Sequence, residues 1–125
     1  MTKYSPHEKS RKLGRLERLE QVFEYVDNNY DRPISLDQIA RVANFSIYHF
    51  TRFFKETTGM TFGEYLNSYR IKKAEAYLED AQNTITEIAF KSGFNSIKTF
   101  NRVFKHQKGC SPSEYRKLLS GDSTV

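Results

Sequence analysis

The sequence predicts an all-α fold of seven helices, arranged as two helix-turn-helix subdomains joined by a long central helix. Three observations carry that expectation. Apolar residues recur at helical spacing along most of the chain, and no alternating β-branched run argues for a sheet. Four Ser or Thr residues are each followed three positions later by Glu or Gln where the apolar periodicity restarts: Ser35/Gln38, Thr61/Glu64, Thr84/Glu87 and Ser111/Glu114. The third observation is an internal repeat. A shift of 50 residues carries Ser46, Phe50, Arg52, Phe54, Lys55, Gly59, Glu64 and Tyr65 onto Ser96, Phe100, Arg102, Phe104, Lys105, Gly109, Glu114 and Tyr115. Upstream the shift is 49, taking Ile39, Ala40 and Phe45 to Ile88, Ala89 and Phe94, so the second copy has one extra residue in its turn.

The elements follow in order. Residues 1–12 are polar and basic, with Lys3, Lys9, Arg11 and Lys12, and read as a flexible arm. Leu16, Leu19, Phe23, Val26 and Tyr30 mark a first helix over about 13–30, which Asp31-Arg32-Pro33 ends because proline disfavours helix in the residue before it. Helices over about 36–43 and 47–57 follow Ser35 and Ser46, with Asn44 in the turn between them. A helix over about 62–80 joins the two halves, and at ~1.5 Å per residue it is about 28 Å long. The second copy repeats the pattern at about 85–92 and 97–107, with Gly93 in the turn, and ends in a helix over about 112–119 with Pro112 at its first position. Asn44 and Gly93 are residue types that tolerate positive φ. Gly59 and Gly109 stand where a left-handed residue closes a helix. The expected organisation is therefore arm 1–12, first subdomain with connecting helix 13–80, second subdomain 81–119 and tail 120–125.

Composition narrows the class. The 125 residues are one domain's length, and ten Phe and eight Tyr, without Trp, supply much of the core. A net charge of +5 favours an acidic partner, which nucleic acid and membrane surfaces share. One cysteine excludes an internal disulfide framework and fits a reducing compartment. No apolar run has signal-peptide or membrane-span length, so a cytoplasmic protein with no membrane partner is expected. Catalysis is not expected. His7, His49 and His106 show no ligand spacing with one another or with Cys110, and no Gly-rich phosphate loop occurs. No cofactor or metal is called for.

The chemistry lies in the third and sixth helices. Set at 100° per residue, Ile97, Phe100, Val103 and Phe104 face one side while Lys98, Asn101, Arg102 and Lys105 face the other. In the first copy Ile47, Phe50, Phe53 and Phe54 face inward and Tyr48, Thr51, Arg52 and Lys55 outward. Each arginine can present a planar fork to guanine O6 and N7, and Lys98 and Asn101 suit guanine and adenine edges. Thr51 offers a hydroxyl or a methyl, Tyr48 a ring for sugar or base edge, and Lys55 and Lys105 lie one turn on, where phosphate is met. Lys91, Lys108 and the arm could widen the electrostatic footprint. An all-α adaptor that binds protein through aromatic faces is the rival, and it requires exposed phenylalanines.

The runs IARVANFSIYHFTRFFKETTG and IAFKSGF…FNRVFKHQKGCSPSEYR, with Arg70 and Ala74 in the joining helix, resemble the DNA-binding domain of AraC/XylS-type bacterial transcription regulators, in particular its MarA/SoxS-like branch of short activators. The resemblance spans about Leu16 to Leu118. It implies that the third and sixth helices enter successive major-groove segments of a promoter, with Tyr48, Thr51, Arg52, Lys98, Thr99 and Arg102 reading bases and Lys55, Asn101 and Lys105 on the backbone. Thr99 joins that set chiefly through the resemblance. RNA polymerase as a partner and activation as the outcome are likewise implied. The chain is then either a stand-alone monomer or the DNA-binding end of a longer ligand-responsive regulator, dimeric through parts beyond these residues.

Overall fold

The computed structural model describes residues 6–121, with side chains from Leu13 onward. Among the described residues there are seven helices and no strand: α1 Pro6–Asn29, α2 Leu36–Val42, α3 Ile47–Thr58, α4 Phe62–Leu78, α5 Ile85–Lys91, α6 Ile97–Lys108 and α7 Pro112–Leu119. Helix α1 begins at Pro6, not near Leu13, so residues 6–12 are helix where a flexible arm was expected. Proline is pre-set for the first helical turn, and Ser5-Pro6-His7-Glu8 repeats the Ser-Pro-x-Glu pattern of Ser111–Glu114, which the basic composition obscured. The remainder of the expected arm, and the tail beyond Gly121, lie outside the described residues.

The chain forms two compact units. One holds the residues up to Asn29 together with Ile34–Phe62, and the other holds Tyr30–Pro33 and everything from Gly63 on. The joining helix α4 thus groups from Gly63 with α5–α7 rather than with the first three helices. The reason is its inward row: Ile71, Ala74 and Leu78 are buried in one cluster with Ile88, Ala89, Phe94, Phe100, Val103 and Phe104.

In the first unit Val22 and Val26 of α1, Ile39 and Ala40 of α2, and Phe50, Phe53 and Phe54 of α3 are buried. Leu16, one of the residues whose spacing marked this helix, is largely exposed. Phe54 meets Phe62 edge-on with centroids 5.6 Å apart, and Phe45 packs tilted on Phe53 at 5.0 Å. Such aromatic pairs add directional packing to area burial.

The ends are closed as the residues demand. Ser35 and Ser111 form reciprocal capping boxes with Gln38 and Glu114. Thr84 accepts from the Glu87 amide, and Ser46 and Ser96 cap α3 and α6 by accepting from the amides of His49 and Thr99. Gly59 (φ 81°) and Gly109 (φ 77°) end α3 and α6 in the left-handed region, donating to the carbonyls of Lys55 and Lys105. Three arginines satisfy carbonyls at helix ends and turns. Arg18 donates to Ala43 and Asn44, Arg116 to Leu78, Asp80 and Asn83, and Arg70 to Tyr30 and Arg32. Burial lowers the Arg70 guanidinium from its ordinary value, yet it stays charged.

Candidate nucleic-acid interface

Each unit contains a helix pair with a tight turn, α2–α3 in the first and α5–α6 in the second. The turns start alike. Asn44 (φ 59°) and Gly93 (φ 104°) take positive φ, and the amides of Phe45 and Phe94 donate back to Ala40 and Ala89. Asn95 is the residue the second turn adds before its cap, Ser96. The second helix of each pair is held from below by its phenylalanines, and its other side is left to solvent.

On α6, Lys98, Asn101, Arg102 and Lys105 are exposed along one face, while Phe100, Val103 and Phe104 are buried. None of those four side chains makes a hydrogen bond or ion pair with another described residue. On α3, Tyr48, Thr51, Arg52 and Lys55 are exposed in the same way, with Tyr48 at 66%. There, however, the polar groups are engaged locally. The Thr51 hydroxyl donates to Ile47 O at 2.8 Å, Lys55 Nζ to Gly59 O at 3.2 Å, and Arg52 Nη1 approaches Tyr48 OH at 3.5 Å. Arg52 also meets Glu56 at 3.5 Å, a residue that the outward row of the wheel left out although its i,i+4 spacing made it visible. Thr99 is half-buried, and its hydroxyl oxygen accepts from Ser96 at 2.9 Å.

Several expectations need correction. Ile47 and Ile97, assigned to the inward side, are 45% and 37% exposed. On the 100° wheel each sits roughly 60° from the centre of its buried phenylalanine row, in the first turn, where little packs over it. Lys108 does not lie free for an outside partner: its Nζ is 2.7 Å from Glu75 Oε1. That bond raises the ammonium above the ordinary lysine value. Lys91 donates to Asn83 Oδ1 at 3.3 Å and lies over the Tyr77 ring. Tyr115, also bonded to Glu75 at 3.0 Å, is raised by burial and then by that bond. Through Glu75, Lys108 ties the last turn of α6 to α4, and Tyr115 of α7 meets the same carboxylate.

Among the described residues no group of three or more His, Cys, Asp or Glu is placed to hold a metal, and no helix is long and apolar enough to cross a membrane. Phe90, on α5, is the only phenylalanine largely exposed among them.

Residues 39–118 match the family model of a helix-turn-helix domain. The Transposon Tn10 TetD protein of Escherichia coli is 35% identical over 99 residues, covering 79% of this chain and 72% of that protein. The regulatory protein SoxS of Salmonella typhimurium is 32% identical over 101 residues, covering 81% of this chain and 94% of that one. Among solved structures, the DNA-binding domain of AdpA, a global transcriptional factor captured with a target DNA, superposes with a TM-score of 0.79 at 26% identity, covering 84% of this chain and 95% of that one.

Proposed function

The chain belongs to the AraC-type helix-turn-helix family of DNA-binding transcription regulators, and we propose that it reads a promoter by setting α3 and α6 into major-groove segments of duplex DNA. The observation that carries this reading is the row Lys98, Asn101, Arg102 and Lys105, which is solvent-facing, largely cationic and without a hydrogen bond or ion pair among the described residues. Phosphate and base edges are the groups that such a row satisfies. Arg52 and Arg102 bind guanine with their forks, and Lys98 reads an adjacent guanine edge. Tyr48 and the methyls of Thr51 and Thr99 supply apolar contact, Thr51 because its hydroxyl is turned back onto its own helix. Lys55, Asn101 and Lys105 fix the protein on the backbone.

The protein is a cytoplasmic activator that contacts RNA polymerase and has no catalytic role. This part of the reading rests on the family alone. A longer ligand-responsive regulator of which this is the DNA-binding end is the second reading, since the family contains such proteins.

Competition binding tests the core of the proposal. A site selected from a random duplex pool should bind at least about 10³-fold more tightly than random duplex of equal length. Arg102→Ala should cost about 1–3 kcal/mol and relax preference at one base pair, whereas Lys105→Ala should weaken all sequences alike and lower the salt slope by about one. Equal binding to selected and random duplex, or identical behaviour of the two variants, would overturn the assignment.

A further inference from the structure

Among the positions at which the two striped helices differ, one lies a turn beyond the arginine they share. Position 56 on α3 is glutamate, and its counterpart on α6 is His106. Glu56 Oε1 lies 3.5 Å from Arg52 Nη2, and its other oxygen lies 3.8 Å from Arg15 Nη2 on α1. On its far side the Arg52 guanidinium rests 5.8 Å from the Tyr48 ring centroid. Arg102 has no carboxylate within reach among the described residues.

The geometry points to Glu56 as a positioning residue that sets Arg52 for base reading at the expense of non-specific affinity. This rests on the DNA-reading assignment of α3 given above. An unrestrained arginine on a DNA-facing helix divides its contacts between base edges and the nearest phosphates, and the phosphate contacts carry no sequence information. A carboxylate one turn further along draws the guanidinium along the helix and repels phosphate, while the remaining donors of the planar fork stay free for a base. Glu56 is also held by Arg15, so it has an anchor of its own. The outcome is a difference of degree between two readers. α6 reads bases while carrying three cations that are unpaired among the described residues, Lys98, Arg102 and Lys105. α3 reads with an arginine that is partly neutralised.

Both contacts of Glu56 are long and exposed, so the effect amounts to a few-fold change. Glu56→Gln should strengthen binding to random duplex by about 2–5-fold and steepen its salt slope by up to about one. It should gain less on the selected site and broaden base preference at the pair that Arg52→Ala also broadens, with the melting temperature unchanged. His106→Glu should do the reverse on the second unit, weakening random binding and sharpening preference at the pair assigned to Arg102. Equal gains on selected and random duplex, with base preference intact, would reduce Glu56 to a surface charge and overturn the proposal. No change in either, or a lowered melting temperature as the only effect, would overturn it too. A wild-type protein with no preferred site is a separate failure, that of the DNA-reading assignment, and removes this proposal with it.

Discussion

Gly93 and Asn44 occupy the same place in the two turns and meet different constraints. A Cβ at Gly93 would collide with the Tyr30 carbonyl oxygen and press on Arg70 Nε at 2.6 Å, at a φ of 104° that side chains rarely adopt. Asn44, at φ 59°, sits in the left-handed basin that asparagine enters routinely. Gly93→Ala should therefore destabilise the protein by more than about 2 kcal/mol, while Asn44→Gly stays within about 1 kcal/mol of wild type. Chemical denaturation of both variants checks this, and equal losses would contradict it. The positive φ at both positions is legible from residue type. The collision is not, because Tyr30 reaches Gly93 from 63 positions away in sequence. A separation of 33 positions likewise hides the engagement of Lys108 by Glu75, which ties to its own fold a lysine that charge alone adds to the electrostatic footprint.

At the scale of the element, α6 is held at both ends. Ser96 caps it, Gly109 closes it, and Lys108 ties its last turn to Glu75, to which Tyr115 also donates. Lys108 and Tyr115 both have folded-state values raised above the ordinary ones. A raised group contributes stability that is fully present below its unfolded value and lost as pH rises through the folded one. The loss thus falls on the alkaline side, through and above the ordinary tyrosine and lysine range. Glu75→Gln should lower stability at neutral pH by about 1 kcal/mol or less and flatten the alkaline decline, as followed by urea titration across that range. An unchanged alkaline limb would show that the pair contributes nothing. Helix positions were largely open to sequence reasoning, since caps and terminating glycines are local signals. The start of α1 was missed where composition outweighed a local Ser-Pro-x-Glu pattern, and Ile47 and Ile97 were misplaced because periodicity gives direction, not depth.

For the whole molecule, duplication made two outward rows readable from spacing alone, and the same spacing placed eight of the nine proposed DNA contacts. The state of each row was not readable. Among the described residues α6 leaves its row without hydrogen bond or ion pair, whereas α3 binds its own through Glu56, Tyr48 and backbone carbonyls. An adaptor working through aromatic faces is disfavoured by the burial of Phe50, Phe53, Phe54, Phe100 and Phe104, the residues such a face would need. What remains is a pair of readers on one chain, each answerable for its own bases. Selection of bound duplexes by wild type, Arg52→Ala and Arg102→Ala measures that directly. The wild-type site should show two separate stretches of base preference, one lost with Arg52 and the other with Arg102. A single stretch erased by both substitutions, or preferences that neither substitution alters, would contradict it.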